Sequence, residues 1–135
     1  MKTVLYVEDN DFNLELIRQV FRDHEGVNFT FAMDGPSGLE KALSEIPDLI
    51  LLDINLPGMN GREVLKRLKA EKTTAHIPVI AISADALSTQ IEESMGLGFV
   101  DYITKPINLK EFLDKVDSFL GDDSAADSAK DSPSV

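Results

Sequence analysis

Residues 49–53 read LILLD, a run of four apolar residues that ends in an aspartate. Two similar apolar runs lie at Val4–Val7 and Val79–Ile82, and each is also followed by a polar side chain. Short continuous apolar runs are typical of strands that are covered on both faces of a parallel sheet. The three runs therefore predict the inner strands of an α/β fold, with Asp53 at the carboxyl end of one of them.

Two further segments are less uniform and fit the edges of the same sheet. Residues 27–32 alternate apolar and polar side chains, and residues 99–103 carry Asp101 within an apolar run. After each strand the apolar residues recur at helical spacing, most sparsely in the fourth helix. Strict alternation predicts a doubly wound five-stranded parallel sheet of order 2-1-3-4-5 with five helices. The predicted apolar stripes are Phe12, Leu16, Ile17, Val20 and Phe21; Leu39, Ala42, Leu43 and Ile46; Val64, Leu65 and Leu68; Leu87, Ile91 and Met95; and Leu109, Phe112, Leu113, Val116 and Leu120.

Length and composition fit one globular domain over residues 1–120. Residues 121–135, GDDSAADSAKDSPSV, lack aromatic and periodic apolar residues and predict a disordered acidic tail. The net charge of −11 opposes binding to nucleic acid or anionic lipid. No segment has the length of a membrane span or signal peptide, and the absence of cysteine fits a reducing compartment. We therefore expect a cytoplasmic protein whose partners are neither nucleic acid nor membrane.

Other polar and sulfur-containing residues have simple explanations. The basic residues Arg62, Lys66, Arg67, Lys69 and Lys72 fit a solvated helix face, with Glu63 and Arg67 paired four residues apart. His24 and His76 fall at helix-to-strand connections and are interpreted as surface residues. Met59 and Met95 are interpreted as packing residues.

The carboxyl ends of the predicted strands carry the chemistry. In an open parallel sheet the functional crevice lies outside these ends, where the strand order switches. Glu8 and Asp9 follow the first strand, Asp53 ends the third, Ser83 follows the fourth and Lys105 follows the fifth. Singly, an acid after a strand is more often a helix cap or turn residue. Together these residues predict one site.

The predicted cluster of carboxylates needs a cation. Carboxylates in one crevice raise each other's proton affinity unless a positive charge neutralises them. Oxygen ligands without thiolates or nearby histidines favour Mg²⁺. With Lys105 and the hydroxyl of Ser83 converging on the central carboxylate, the arrangement is suited to phosphoryl transfer onto Asp53.

Four motifs resemble the receiver domain of bacterial two-component response regulators. They are YVEDN at 6–10, LLDINLPGMNG at 51–61, AISA at 81–84 and YITKP at 102–106. The resemblance implies a flavodoxin-like fold and phosphorylation of Asp53 from a phosphohistidine. The resemblance also implies that Mg²⁺ is held by Asp9, Asp53 and the backbone carbonyl of Asn55, with Glu8 acting through water. It implies that Ser83 and Lys105 contact the phosphoryl group and that the small Ala84 leaves access to it. It further implies that Tyr102 is the switch aromatic and that the bond between Lys105 and Pro106 is cis.

The resemblance also implies the partners. A histidine kinase or histidine phosphotransfer protein would donate the phosphoryl group, and a downstream protein would read the face formed by the fourth helix, fifth strand and fifth helix. We expect a stand-alone receiver that is a monomer or weak dimer. The alternative is a receiver domain excised from a larger response regulator or hybrid histidine kinase.

Two other functions were weighed against a signalling switch. A flavodoxin has the same architecture, but Glu8, Asp9 and Asp11 would repel the phosphate of FMN. A phosphatase with an aspartyl intermediate usually carries a second acid two residues after the nucleophile, and Asn55 cannot donate a proton as an acid. We therefore expect the chain to catalyse only its own phosphorylation and slow dephosphorylation, without turnover of outside substrates.

Overall fold

The computed structural model describes residues 1–121. Apart from Gly121, the predicted tail (residues 121–135) lies outside the described residues. Within residues 1–121, all strand pairings are parallel and the sheet order is β2-β1-β3-β4-β5. This confirms the predicted flavodoxin-like order. The strands are β1 (Lys2–Val7), β2 (Val27–Ala32), β3 (Leu49–Asp53), β4 (Val79–Ser83) and β5 (Asp101–Thr104).

Each strand is followed by a helix, as the sequence predicts. Four of the helices begin at a residue whose side chain accepts a hydrogen bond from the backbone N–H three residues later, an N-cap that satisfies one free donor of the first turn. These N-cap residues are Asn10, Asp34, Asn60 and Asn108. The helices are α1 (Asp11–Arg22), α2 (Gly35–Glu45), α3 (Gly61–Ala70), α4 (Ser88–Leu97) and α5 (Leu109–Leu120). No helix in the described part of the chain is long and apolar enough to cross a membrane.

The sheet separates two hydrophobic cores. Successive residues of the inner strands face opposite sides, so Leu49 and Leu51 pack with α1 and α5, whereas Ile50 and Leu52 pack with α2, α3 and α4. We call these layers the α1/α5 core and the α2/α3/α4 core. All five residues of β3 and of β4 are buried, as expected for inner strands. This burial fixes the strand ends rigidly, and the site is built on those ends.

Two aromatic residues lie elsewhere than the sequence pattern predicted. Phe12 was placed on the buried stripe of α1 but is 74% exposed, and the buried residues of that helix are Leu14, Ile17 and Phe21. Ile17 and Phe21 of the predicted stripe are buried, so its spacing was right, but Phe12 lies in the first turn of the helix and is not covered. Phe99 was placed in the fifth strand, which begins at Asp101. Phe99 is buried in the α2/α3/α4 core, so its hydrophobicity reflects packing of the connecting segment.

Helix α4 is the least anchored of the five helices, which confirms the prediction. Its buried residue is Ser94, and its first turn has no side-chain cap. Of the predicted stripe, Ile91 packs against the α2/α3/α4 core, but Leu87 precedes the helix and is 64% exposed. Met95 is 39% exposed, so its interpretation as a packing residue was wrong, whereas Met59 does pack against that core.

The surface residues behave as expected. Arg67 Nε lies 3.0 Å from Glu63 Oε2, as predicted for a solvated helix face. His76 is exposed, and His24 is partly exposed and bonded to Asp117 on α5. Both histidines lie on connections that lead into the amino ends of strands. Neither lies near the carboxyl edge of the sheet.

Candidate functional site

Three carboxylates meet at the carboxyl edge of the sheet. Glu8 and Asp9 follow β1, and Asp53 is the last residue of the adjacent strand β3. Ligand oxygens of the three side chains all lie within 4.8 Å of one another. Glu8 is 0% exposed and Asp53 is 3% exposed, whereas Asp9 is open to solvent. The sheet therefore holds two buried carboxylates beneath one accessible carboxylate.

Lys105 neutralises the two buried carboxylates. Its Nζ lies 3.0 Å from Glu8 Oε1 and 3.0 Å from Asp53 Oδ2. Burial opposes the charge of Lys105, but the hydrogen bonds to Asp53 and Glu8 outweigh burial and raise the pKa of the ammonium group. The lysine therefore stays charged at neutral pH and forms a fixed bridge between two strands.

Glu8 is held by three donors. Oε1 accepts hydrogen bonds from the Tyr6 hydroxyl at 2.9 Å and from Lys105, and Oε2 accepts one from the backbone N–H of Asn10 at 3.2 Å. Burial and the nearby charge of Asp53 raise the pKa of Glu8 above its usual value, although the bonds from Lys105 and Tyr6 oppose the shift. Burial and the charge of Glu8 also raise the pKa of Tyr6, so its hydroxyl remains a donor.

The loop after β3 closes against Asp53. The backbone N–H of Asn55 donates to Asp53 Oδ1 at 2.9 Å, and the N–H of Gly61 donates to the carbonyl of Ile54 at 2.9 Å. A Cβ at Gly61 would lie 2.6 Å from the carbonyl oxygen of Asp53, so only glycine fits where α3 begins. Both oxygens of Asp53 are therefore engaged, one by Asn55 and one by Lys105.

Ser83 lies at the same edge but contacts different groups from Asp53. Its hydroxyl donates to Asn55 Oδ1 at 3.0 Å and accepts a hydrogen bond from the backbone N–H of Asp85 at 3.1 Å. The side chain of Asn55 thus links the loop after β3 to the loop after β4. Ala84, which follows Ser83, is exposed.

Tyr102 is connected to the same loop from strand β5. Its ring is 8% exposed, and its hydroxyl donates to the backbone carbonyl of Asp85 at 2.7 Å. Tyr102 is therefore buried and bonded to the loop after β4. The peptide bond between Lys105 and Pro106 is cis.

The donor set fits a hard divalent cation. The cluster offers three carboxylates, of which Asp9 is accessible, and the chain has no cysteine. Mg²⁺ and Ca²⁺ take oxygen ligands of this kind, and Mg²⁺ needs few protein ligands because it retains water. One lysine cannot balance three carboxylates, so a cation would relieve the remaining repulsion.

Three contributors to the site were missed in the sequence analysis. Tyr6 bonds Glu8, Asn10 both caps α1 and bonds Glu8, and Asp85 connects Ser83 to Tyr102. For Tyr6 a signal was available, because residues two apart on a strand share a face. For Asp85 the contacts are made by the backbone, which a sequence motif does not reveal.

Comparisons with known proteins agree with this geometry. The family model of the response regulator receiver domain matches residues 4–117. The chain is 40% identical over 121 residues to the polar-differentiation response regulator DivK of Brucella ovis, covering 90% of this chain and 98% of that protein. These shares leave little of either chain unmatched.

Solved structures with the same fold include two receiver domains. The receiver domain of the sensor histidine kinase PA1611 from Pseudomonas aeruginosa, solved with a magnesium ion in its active site cleft, has a TM-score of 0.80 and 29% identity, covering 89% of this chain and 98% of that one. The Francisella response regulator 1452 receiver domain has a TM-score of 0.82 and 28% identity, covering 89% and 97%. By its family match, its relatives and its sheet order, the chain belongs to the response regulator receiver domain family.

Proposed function

We propose that the chain is a phosphorylation-dependent signalling switch in which Asp53 accepts a phosphoryl group from a histidine kinase or a histidine phosphotransfer protein. The observation that carries this proposal is the bridge from Lys105 Nζ to Asp53 Oδ2 and Glu8 Oε1, each at 3.0 Å, at the point where three strands end. A fixed ammonium group beside a carboxylate can stabilise negative charge on phosphoryl oxygens during transfer.

The transfer exchanges one bond to phosphorus for another. An oxygen of Asp53 forms a bond to phosphorus as the bond between phosphorus and the donor's imidazole nitrogen breaks. The electron pair of the broken bond stays on that nitrogen, which takes up a proton from solvent. Lys105 then pairs with a phosphoryl oxygen. The hydroxyl of Ser83, which donates to Asn55 Oδ1 in this structure, would turn to a phosphoryl oxygen as well. Ala84 is exposed, and we propose that its small side chain leaves access to the phosphoryl group.

The bound metal we propose is Mg²⁺, held by Asp9, Asp53 and the backbone carbonyl of Asn55, with Glu8 acting through water. The clustering of the three carboxylates supports it, as does the magnesium ion in the related Pseudomonas aeruginosa domain. When bound, Mg²⁺ would offset the negative charge of the carboxylates and of the incoming phosphoryl oxygens. Lys105 bonds both Glu8 and Asp53, and the backbone N–H of Asn55 bonds Asp53.

The reaction stops at the chain's own carboxylate. Asn55 occupies the position where a phosphatase with an aspartyl intermediate needs an acid, and an amide cannot protonate a leaving group. We therefore propose self-phosphorylation and slow self-dephosphorylation without turnover of outside substrates. The acidic edge formed by Glu8, Asp9 and Asp11 also disfavours the phosphate of a flavin.

The output we propose is a change at the face formed by α4, β5 and α5. A hydrogen-bonded chain supports this: Asp53 to Asn55, Asn55 to Ser83, Ser83 to Asp85, and Asp85 to Tyr102. If Ser83 moves toward a phosphoryl oxygen, the bond to Asn55 breaks and the loop that holds Tyr102 shifts. A downstream protein would bind the altered face, and the switch would act in the cytoplasm as a monomer or weak dimer.

The relatives support two alternative settings for the switch. The DivK relative is matched over 98% of its length, which supports a receiver that acts without a fused output domain. The Pseudomonas aeruginosa neighbour belongs to a sensor histidine kinase, which supports the alternative of a receiver within a hybrid kinase.

Labelling with acetyl phosphate tests the acceptor. Asp53→Asn should abolish the mass increase of the intact protein, because the amide preserves the shape but is not a nucleophile. Asp48→Asn is the matched control, since Asp48 lies at the opposite end of the same strand and bonds the backbone of Thr3. Stoichiometric labelling of the Asp53 variant would overturn the assignment.

Metal binding is tested by thermal unfolding. Millimolar Mg²⁺ should raise the melting temperature of the wild type, because a ligand that binds the folded state stabilises it. Asp9→Asn should shrink that increase. An equal increase in both proteins would remove Asp9 from the proposed ligand set.

The output is tested by hydrogen exchange on addition of beryllofluoride, a phosphoryl analogue. Exchange rates should change across residues 84–112, and Ser83→Ala should confine the change to the surroundings of Asp53. A change confined to that region in the wild type would contradict the proposed coupling.

A further inference from the structure

Tyr6 is a buried polar residue beneath the site, and the proposed function assigns it no role. Its side chain is 0% exposed within the α1/α5 core, and its hydroxyl donates to Glu8 Oε1 at 2.9 Å. A phenylalanine would fill the same space without a polar group that must be satisfied. The hydroxyl is therefore either a satisfied core group or a functional contact.

The position of Tyr6 on β1 places the hydroxyl where Glu8 needs a partner. Glu8 directly follows β1, and its backbone N–H still donates to the carbonyl of Ala32 at 3.0 Å, so its side chain continues the alternation and lies on the same face as Tyr6. The carboxylate of a glutamate stands on one more rotatable bond than that of an aspartate, so it has more positions to choose from. The hydroxyl of Tyr6 selects one of them.

Glu8 in turn fixes Lys105. The oxygen that accepts from Tyr6, Oε1, also accepts from Lys105 Nζ at 3.0 Å. The same ammonium group lies 3.0 Å from Asp53 Oδ2. A displacement of Oε1 would therefore move Lys105 relative to Asp53, because one nitrogen holds both contacts.

We propose that Tyr6 is a positioning residue of the phosphoacceptor site, which acts through Glu8 to hold Lys105 against Asp53 and to set the affinity for the divalent cation. This inference deepens the proposed function and rests on it. Tyr6 and Glu8 are both 0% exposed, so the hydroxyl supplies a fixed donor where water cannot replace it.

A purely structural role makes a different prediction. If the hydroxyl bonds Glu8 only because a buried polar group needs a hydrogen-bond partner, its loss lowers the melting temperature and leaves the affinity for the cation unchanged. If it positions Glu8, its loss changes the affinity of the folded protein for Mg²⁺. Loss of a group that hydrogen-bonds a metal ligand typically weakens the affinity for the metal by about tenfold or more.

The experiment is calorimetric titration of Mg²⁺ into the full chain, with labelling by acetyl phosphate as a second measurement. In Tyr6→Phe we expect the dissociation constant for Mg²⁺ to rise by about tenfold. The matched control is Thr74→Val, which removes a buried hydroxyl that donates to the carbonyl of Leu68 at 2.7 Å, far from the site. It should lower stability to a similar degree and leave the dissociation constant unchanged.

A double-mutant cycle tests whether Tyr6 acts through Glu8. In the Glu8→Ala background, Tyr6→Phe should have no further effect on Mg²⁺ affinity, because the residue that it positions is absent. An undiminished effect in that background would overturn the inference. So would an unchanged affinity in Tyr6→Phe alone, or an equal change in Thr74→Val.

Measurements on the wild type separate the proposed function from the positioning role of Tyr6. If it neither binds Mg²⁺ nor accepts a phosphoryl group, the proposed function fails and this inference fails with it. If it does both and Tyr6→Phe matches it in affinity, the proposed function stands and only the positioning role is wrong.

Discussion

Helices α5 and α4 flank the same edge strand, β5, from opposite faces, yet they are anchored very differently. Helix α5 buries Phe112, Val116 and Leu120 in the α1/α5 core. The buried residue of α4 is Ser94, whose hydroxyl has no hydrogen-bond partner among residues 1–121. Since burial of large apolar side chains is the main source of helix stability in a folded domain, α5 is fixed and α4 is marginal.

The first turns of the two helices also make α5 more stable than α4. Asn108 caps α5 by accepting a hydrogen bond from the N–H of Glu111 at 3.0 Å. The corresponding residue of α4 is Leu87, which cannot accept one. The termini therefore reinforce the difference in packing.

This difference indicates where the molecule can change shape. Segments with few buried apolar contacts open at lower free energy than the global transition, and switching elements belong to that class. The hydroxyl of Tyr102 joins the loop before α4 to β5 by a hydrogen bond of 2.7 Å to the carbonyl of Asp85, and the N–H of Asp85 joins the same loop to Ser83 of the site. A rigid α5 beside a marginal α4 would confine a conformational change to one side of the sheet.

The largest expected effect is in the packing of α5. Phe112→Ala should lower the free energy of unfolding by about 3–5 kcal/mol, because it leaves a cavity among Phe21 and its neighbours. Met95→Ala on α4 should change it by less than about 1 kcal/mol, since Met95 is 39% exposed. Urea denaturation measures both. Similar losses for the two variants would show that α4 is anchored as firmly as α5.

A reciprocal exchange of the cap residues should have a smaller effect. Asn108→Leu should destabilise the protein by about 1 kcal/mol, because the first turn of α5 loses its side-chain acceptor. Leu87→Asn should stabilise it by up to about 1 kcal/mol, because residue 87 already has the extended backbone of an N-cap residue. Denaturation midpoints check both variants. A neutral Leu87→Asn would mean that α4 is limited by packing alone.

The bond between Tyr102 and the loop before α4 is expected to contribute modestly. Tyr102→Phe should cost about 0.5–1.5 kcal/mol, the usual net contribution of one hydrogen bond. Hydrogen exchange should accelerate at residues 84–90 and stay unchanged in α5. Equal acceleration in both regions would contradict a local role for this bond.

The fold and the strand-end residues were predictable because both follow from simple periodicities. Continuous apolar runs identified β3 and β4. Parallel strands bring Asp53 and Lys105 to one edge of the sheet, whatever path the connecting loops take. The phase of an amphipathic stripe was harder. Phe12 and Met95 have the right spacing for burial, but whether a partner element covers them depends on helix placement, which spacing does not determine.

The details of the site depended on tertiary structure. The contact between Tyr6 and Glu8 requires a particular side-chain conformation of each residue, and Asp85 contributes through its backbone. Such contacts are set by packing after the strands are in place. A motif therefore identifies the carboxylates and the lysine, while the hydrogen bonds that orient them become visible only in the structure.

The smallest predicted effect concerns the cap of α2, which is a carboxylate where the cap of α5 is an amide. The N–H of Ser37 donates to Asp34 Oδ1 at 2.7 Å, and this bond lowers the pKa of Asp34 below its usual value. The unfolded chain has a pKa near 3.9 for aspartate, so the bond stabilises the folded state above about pH 4. That contribution is lost as the pH falls through the lower pKa of the folded state.

An amide at the same position cannot titrate, so Asp34→Asn should keep a cap whose strength does not depend on pH. The melting temperature of the wild type relative to this variant should therefore decline as the pH is lowered below about 4. The other carboxylates titrate in both proteins, so their contributions cancel in the difference. The difference between the wild type and Asn108→Leu should stay flat over the same range, because Asn108 has no proton to gain. Parallel curves for the wild type and Asp34→Asn would mean that ionisation of Asp34 does not stabilise α2. A decline for that pair, with a flat difference for Asn108→Leu, would show that the carboxylate cap of α2 contributes measurably to stability.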